Sequence, residues 1–343
     1  MSYYASSALL AARAIQKEKY YWKFEGRPEN SMLMDLFVKN RDLMFPDLAD
    51  IRQADTQTTT MIYPVKVLRT IGDAKSCTPT GTYEDSATVD LTWYTKTAEV
   101  IISEKRHKGN ELKMQETLAR ELLDAEIDLF KNGAASMEVA LLAYLEANRT
   151  QSATNGHFTF DTVNYNFDCA NADLANFYNY LLDDMQMNNY AGKFLDAYNT
   201  TWGGYTRQQV NQGQANATNT QFQYQNPFDF MGFPSNLITN GTSDLSTHYI
   251  IPEGGVTILD WNEPINRKPH TSGDLSWGTY QSRLIPGVTL DVFMKTACAD
   301  TTLTGGSTQD FVHIYELAYN YAIAKPGIST SGESTIYKTN ILS

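Results

Sequence analysis

Apolar and polar residues alternate along two stretches in the first third of the chain, residues 59–70 and 88–102. Such alternation is the period of a β-strand with one buried face. Residues 71–87 between them are rich in Gly, Pro, Ser and Thr, which are residues of turns and loops. The pattern therefore predicts a long β-hairpin with a broad tip. The apolar positions are Met61, Tyr63, Val65 and Val67 in the first strand and Val89, Leu91 and Trp93 in the second.

This hairpin needs a surface to lie on, because a lone two-stranded hairpin is marginally stable in water. Pro64 marks one strand as an edge, since proline cannot donate to a ladder. No adjacent helix in the sequence is an obvious cover, so we expect the hairpin to lie on a neighbouring subunit. The residues that we expect to make these intersubunit contacts are Tyr63, Val65, Lys75, Tyr83, Trp93 and Tyr94.

Helical periodicity is clearest in residues 111–148, where apolar residues recur at spacings of three and four. Asn132-Gly133 predicts a break or kink, which leaves one long helix or two in succession. A further helix begins near Asn171. Two N-terminal pieces, residues 2–24 and 32–45, also read as helical but offer little core of their own. We expect them to lie along another part of the chain or along a neighbour. The apolar face of the helix near Asn171 consists of Leu174, Phe177, Tyr178, Leu181 and Met185.

Strand patterns return in the second half of the chain, with turn signals at residues 252–255 and at Pro286-Gly287. An Asn- and Gln-rich tract at 206–225 predicts a long exposed loop. Strands and helices are mixed without a βαβ rhythm, so the predicted class is α+β. The predicted strands cover residues 249–251, 256–259, 288–293 and 311–323.

Composition points to large interfaces. Charged residues make up 19% of the 343 residues, and tyrosine occurs 21 times; interface cores are depleted in charge and enriched in tyrosine. The net charge of −12 argues against sequence-specific nucleic-acid binding, which needs clustered cations. The one dense basic run, residues 105–108, is interpreted as a solvated turn. Loose coating of packaged nucleic acid stays open.

Signatures of catalysis are few. The three cysteines, Cys77, Cys169 and Cys298, are far apart, and the five histidines have no metal-ligand spacing. No phosphate-binding loop, dinucleotide fingerprint or nucleophile elbow is found. We therefore expect no cofactor, no metal and no enzymatic activity. The sequence also lacks a signal-peptide pattern and a membrane span, so we expect synthesis in a cytoplasm.

The order of elements resembles the major capsid proteins of tailed bacteriophages, which share the Hong Kong 97 fold. An N-terminal arm, a long hairpin, a long helix, a mixed region and a late return strand follow one another along nearly the whole chain. Residues 181–194 (LLDDMQMNNYAGKF) look like the axial-domain helix and turn of such proteins. Residues 249–261 (YIIPEGGVTILDW) look like their axial-domain strand pair.

The resemblance implies a division into five parts and an assembled state. The parts would be an N-terminal arm, an E-loop hairpin, the spine helix with the peripheral domain, a mainly axial domain, and a return to the peripheral domain. The chain would self-assemble into hexamers and pentamers of an icosahedral head around double-stranded DNA, with portal, scaffolding and decoration proteins as partners. In the same order, the parts would be residues 1–55, 56–103, 104–159, 160–310 and 311–343.

Three other functions remain open from the sequence. An encapsulin-type nanocompartment shell resembles the same family and would accompany a cargo enzyme. A carbohydrate-binding surface module is suggested by the Tyr- and Asn-rich second half, and it would be a soluble monomer with affinity for a sugar. A hydrolase with a dispersed site would show turnover without a large assembly.

Overall fold

The computed structural model has a mixed helix and strand fold in the residues that it describes. The residues that it describes are 33–39, 41, 48–65, 85–107, 111–132, 135–149, 158–161, 166–170, 177–187, 193–199, 228–233, 248–282, 284–302, 307–325 and 336–342. The predicted helix at 2–24 and the polar tract at 206–225 lie outside these residues.

Two short helices begin the described part: α1 (Leu33–Lys39) and α2 (Leu48–Gln53). Helix α1 confirms part of the helical prediction at 32–45. Its residues Met34, Phe37 and Val38 are buried in the main core of the chain. The prediction left open whether this region lies on its own chain or on a neighbour, and α1 lies on its own chain.

The hairpin consists of β1 (Thr60–Val65) and β2 (Asp85–Asp90), which pair antiparallel with Thr60 opposite Asp90. The prediction of one second strand over 88–102 is wrong. After β2 the chain passes through Leu91, which is buried, and β3 (Trp93–Ser103) then pairs with a different strand. The alternation of apolar residues continues across this junction, so a period of two could not distinguish one strand from two.

Six strands form an antiparallel sheet with the order β10-β11-β12-β13-β3, and β9 pairs with the last residues of β13. This set is called the antiparallel sheet below. Strands β12 and β13 are longer than predicted and pair over twelve residue positions, from Asp291↔Ala318 to Thr302↔Ser307. The strands are β9 (Thr257–Asp260), β10 (His270–Ser272), β11 (Leu275–Gln281), β12 (Thr289–Thr302) and β13 (Ser307–Ala324).

The second sheet, called the mixed sheet below, has the order β4-β5-β14-β8-β6-β7 and contains parallel and antiparallel pairs. The expected strand pair at 249–261 is wrong. Strand β8 belongs to this sheet and β9 to the antiparallel sheet, because the turn after Pro252, with Gly254 at φ 78°, turns the chain away. The strands are β4 (Thr159–Asp161), β5 (Asn166–Ala170), β6 (Phe194–Asn199), β7 (Phe228–Phe233), β8 (His248–Pro252) and β14 (Tyr337–Leu342).

The long helical region is broken where the sequence predicted. Helix α4 (Glu111–Ile127) follows the short α3 (Glu104–His107), continues as a π-helical turn (Asp128–Asn132), and is succeeded by α5 (Met137–Asn148). The basic run predicted as a turn is therefore partly helical. The predicted apolar face of α4 is buried, namely Leu118, Leu122, Ala125 and Leu129.

The main core lies among α1, α4, α5, one face of the antiparallel sheet and one face of the mixed sheet. Alternation along β8 divides its side chains between two cores: Tyr249 and Ile251 enter the main core, and Ile250 enters a second cluster. That second cluster is formed with α6 (Phe177–Met187), whose Phe177, Leu181 and Met185 are buried as predicted.

Candidate assembly surfaces

The hairpin stands apart from both six-stranded sheets. Only β1 and β2 pair in it, and Ile62 at its middle is 77% exposed. Met61 and Val89, which lie opposite each other, pack on the small cluster of Leu91, Leu259, Ala322 and Ala324. One face of the hairpin is thus fixed to its own chain, and the face with Ile62 is open.

Trp93 and Tyr94 lie at the base of this hairpin, where β3 begins. The Trp93 indole Nε1–H donates to the Thr58 carbonyl at 2.7 Å, and its ring packs against the small cluster. Tyr94 is 56% exposed, with its ring 5.9 Å from that of Tyr321. Trp93 therefore anchors the hairpin within the chain, and Tyr94 offers an accessible ring; contact of either with another copy stays a prediction.

The other expected contact residues are placed less fully. Tyr63 and Val65 lie in β1, opposite Ala87 and Asp85. Lys75 and Tyr83 lie outside the described residues.

A buried carboxylate fastens the N-terminal segment, meaning the described residues 33–39, 41 and 48–55, to the antiparallel sheet. Asp260 is 1% exposed and accepts from Arg41 Nη1 at 3.0 Å and from Arg52 Nε at 2.7 Å. Both arginines also donate to the Gly287 carbonyl, at 2.7 and 2.8 Å. A buried carboxylate is stable when it is paired and hydrogen-bonded in this way. We call this set of four residues the arginine clamp.

Three further bonds tighten the attachment of the N-terminal segment. Trp261 Nε1–H and Arg267 Nη2 both donate to the Ala54 carbonyl, at 2.9 and 2.6 Å. The Thr257 hydroxyl donates to the Phe37 carbonyl at 3.2 Å. The segment from 33 to 55 is thus held by side chains more than 200 residues away in sequence, and no local pattern could have predicted them.

A second charged cluster joins α5 to the mixed sheet. The Tyr249 hydroxyl donates to Glu146 Oε2 at 2.6 Å, Lys338 Nζ donates to Oε1 at 3.2 Å, and Arg149 also contacts Oε1. Burial alone would raise the pKa of Glu146, but the Tyr249 hydrogen bond and the two cations outweigh it, so the pKa lies below its usual value. Burial, followed by the charge of Glu146, raises the pKa of the Tyr249 phenol.

The arrangement most like a catalytic one is closed to substrate. His248 Nδ1 lies 3.1 Å from Asp196 Oδ1, and the Tyr178 hydroxyl donates to Oδ2 at 2.9 Å. Asp196 is 0% and His248 1% exposed, so these groups form a buried hydrogen-bonded contact between β6 and β8 that solvent does not reach. Among the residues described, no group of three or more His, Cys, Asp or Glu is placed to hold a metal ion.

Several exposed apolar side chains were not singled out from the sequence. Ile62, Ile101 and Phe311 are 77%, 60% and 59% exposed, whereas most large apolar residues of the sheets are buried. Ile101 belongs to the regular alternation of β3, so its outward direction follows from Val100 and Ile102 facing the core. Given the extent of β3, the alternation of side chains along the strand predicts that Ile101 is exposed.

Helices able to cross a membrane were sought in the described part of the chain, and none is long and apolar enough.

Comparisons with known proteins place the chain near phage capsid structures. No protein-family model matches the sequence, and no curated protein matches it. Among solved structures, it is similar to the capsid of the Myoviridae phage XM1, with 13% identity, 90% of each chain covered and a TM-score of 0.40. It is similar to the capsid structure of the cyanophage P-SCSP1u, with 10% identity, 84% of each chain covered and a TM-score of 0.35.

A third similar structure is the capsid of a native GTA particle, with 10% identity, 86% of this chain and 91% of that chain covered, and a TM-score of 0.37. All three TM-scores lie below 0.5.

Proposed function

We propose that this chain is a major capsid protein of a tailed phage, a structural subunit that assembles into a closed icosahedral shell around double-stranded DNA. In this proposal the fold is of the Hong Kong 97 type, the subunits form hexamers and pentamers, and the role is architectural rather than catalytic. The protein would be located in the virion.

The observation that carries the proposal is the isolated hairpin. Among the described strands none pairs with β1 or β2 as a third, and the open face of the hairpin presents Ile62 at 77% exposure. A two-stranded hairpin is only marginally stable in water by itself, and burying the exposed Ile62 side chain against another copy of the chain would stabilise it further. Many such contacts, repeated by symmetry, close into a shell and become strong collectively.

We propose that the chain is divided into the five parts of the Hong Kong 97 fold. Residues 1–55 would form the arm, 56–103 the E-loop, 104–159 the spine helix and peripheral domain, 160–310 mainly the axial domain and 311–343 the return. The arginine clamp supports a fixed root for the arm, because it attaches residues 41 and 52 to Asp260. The Glu146 cluster supports a firm junction between the spine helix and the mixed sheet.

Charge supports a shell that encloses DNA without gripping it. At −12 the chain would repel phosphates on average, so packaging would have to be driven by other proteins, such as a portal and its motor. Scaffolding and decoration proteins are expected partners because the resemblance to tailed-phage capsid proteins implies them.

The test is negative-stain electron microscopy of the purified full-length protein together with sedimentation velocity. Hollow icosahedral particles, or rings of six and five subunits, are the expected result. A protein that stays monomeric at all concentrations and salts, and also when co-expressed with the proteins encoded beside it, would contradict the proposal. Particles that retain a co-purifying enzyme would instead favour the encapsulin function.

A further inference from the structure

The outer face of the antiparallel sheet, meaning the face turned away from the main core, carries an unusual apolar row. Strand registers place Trp277 opposite Phe293, and His270 opposite Trp277. The His270 and Trp277 rings stack at 4.7 Å, and the Trp277 and Phe293 rings lie 5.7 Å apart. Ile101 and Ile314 lie opposite each other two residues further along. All of these belong to the face opposite Val100, Tyr315 and Met294, which are in the core.

This outer face is covered at its two ends and open in the middle. At one end Asn262 bonds to Asp291 at 2.9 Å, and Asp291 is buried. At the other end Ser103 bonds to Asp310, whose Oδ1 accepts from the backbone N–H of Lys105 in α3. Between them Ile101 is 60% exposed, and Trp277, Phe293 and Ile314 are half-buried. Antiparallel sheets with one solvated face normally make that face polar, so the exposed and half-buried apolar side chains among the charged residues of this face indicate a partner.

Charges on this face are ordered along β3. Glu99 lies directly opposite Glu316, and within the described residues neither side chain has a hydrogen bond or an ion pair. Like charges opposite each other destabilise a sheet unless a cation joins them. Lys295, diagonal to Glu316 across the β12–β13 pair, forms no ion pair with it within 4 Å. Beyond Ile101 the strand ends in α3, where Lys105 and Arg106 are exposed beside the acidic Glu104. Glu104 contacts His313, and Lys105 Nζ donates to the Gln309 carbonyl of its own chain.

Along β3 the acidic pair Glu99–Glu316 comes first, the pair Ile101–Ile314 second, and the basic residues of α3 last. The distance from Glu99 to the end of β3 is about 13 Å at about 3.3 Å per residue. Such an order is complementary to itself when reversed. A twofold axis near Ile101 would place Glu99 and Glu316 of one copy beside Lys105 and Arg106 of the other, and the reverse. Isologous contacts have this property, in which residue i meets j and j meets i.

We propose that the outer face of the antiparallel sheet binds a second copy of this chain, face to face around a twofold axis at the Ile101–Ile314 pair. The isoleucines of the two copies meet at the axis, and the acidic pair of each copy meets the basic α3 of the other. This rests on the proposed function, because it supplies one of the contacts between subunits of the shell. It adds a contact that is independent of the hairpin.

Charge reversal tests the twofold arrangement directly. One full-length variant carries Glu99→Lys and Glu316→Lys, and a second carries Lys105→Glu and Arg106→Glu. Each alone places like charges together twice in a symmetric pair, so association should weaken by about tenfold or more. An equimolar mixture restores opposite charges at both positions, so the mixture should regain wild-type sedimentation, and raised salt should reduce that recovery.

The control pair reverses Glu253 and Lys193, which are exposed and lie beside the ends of β8 and β6 in the mixed sheet, and should behave as wild type alone and mixed. Circular dichroism of each variant identifies a folding defect, and Ile101→Asp supplies a second test, because it should abolish association without any charge pairing. If both charge-reversed variants build the same particles as the wild type, this contact is wrong while the shell proposal stands.

Two other outcomes also overturn the contact. A wild-type chain that stays monomeric removes both the contact and the assembly on which it rests. Loss of association in Ile62→Asp and Ile101→Asp, with no recovery on mixing the charge variants, would mean that this face receives the hairpin of another copy instead.

Discussion

The N-terminal segment and the hairpin are neighbours in sequence, and each was expected to pack on another part of the chain or on a neighbouring subunit. The structure separates them. Residues 33–55 are held by the arginine clamp and by three further side-chain bonds, whereas the hairpin keeps one face, with Ile62, open. The difference shows that a segment without a core of its own can be fixed either by buried polar chemistry or by a partner, and only the second creates an assembly surface.

The largest effect is expected from removing the centre of the clamp. In Asp260→Ala, Arg41 and Arg52 lose the carboxylate that they share, and Arg41 is left largely buried. Removing one partner of a buried ion pair costs about 3–5 kcal/mol, so the free energy of unfolding measured in urea should fall by about this amount. Limited proteolysis should cut residues 33–55 faster.

A matched control for the clamp is Asp274→Ala, an exposed aspartate in the turn between β10 and β11. Its free energy of unfolding should stay within about 0.5 kcal/mol of the wild type. Equal stability losses in both variants would mean that the clamp does not fasten the segment.

The anchor at the base of the hairpin gives the next largest effect. Trp93→Ala removes a half-buried ring and its bond to the Thr58 carbonyl, so the free energy of unfolding should fall by about 2 kcal/mol. Trp93→Phe keeps most of the packing and should lose about 1 kcal/mol. Hydrogen exchange of β1 and β2 amides, measured beside urea unfolding, should speed up in the same order. Equal exchange in both variants and the wild type would mean that Trp93 does not hold the hairpin.

Acid should weaken the junction between α5 and the mixed sheet. The folded-state pKa of Glu146 lies below the usual value of a glutamate, so its stabilisation is complete above that usual value and is lost as pH falls through the folded-state pKa. Tyr249→Phe removes the hydroxyl bond to Glu146 and should cost about 1 kcal/mol at neutral pH. In urea titrations at stepwise lower pH, down to about 3, the difference from the wild type should shrink.

Tyr144→Phe is the matched control for this pH dependence. Tyr144 lies on the same helix, and burial raises the pKa of its phenol to about 12, but no carboxylate causes the shift. Its difference from the wild type should not change between neutral and acid pH. A constant difference for Tyr249→Phe as well would show that Glu146 does not couple the junction to pH.

The helices could be predicted from the sequence, whereas the pairing of the strands could not. Helices α4, α5 and α6 were predicted with their apolar faces and the break after Asn132, because period and turn residues are local signals. The strand partners were not: β2 and β3 were joined into one strand, and β8 and β9 were paired with each other. Pairing depends on contacts across long sequence separations, and residues 257–260 find their partner at 321–324.

The candidate surfaces show the same division between local and distant information. Trp93 and Tyr94 were named from the sequence, and the structure places both at the hairpin base. The clamp could not be predicted, because Arg41 and Arg52 carry no local sign that Asp260 will be buried beside them. Ile62 was not predicted as a contact residue, because it lies between Met61 and Tyr63 and therefore on the opposite face of the strand from the apolar positions.

The smallest effect on stability is expected at Ile62, and it sharpens the comparison most. Ile62→Asp should leave the free energy of unfolding within about 0.5 kcal/mol of the wild type, because the side chain is 77% exposed and contacts little of its own chain. Sedimentation and microscopy should nevertheless show loss of particles, since a charge would be buried against the neighbouring copy without a partner. Ile265→Asp, at an isoleucine that is 52% exposed outside the hairpin, should change neither measurement. Intact particles from Ile62→Asp would mean that the hairpin's open face is simply solvated, and the contrast with the clamped segment would then be one of exposure alone.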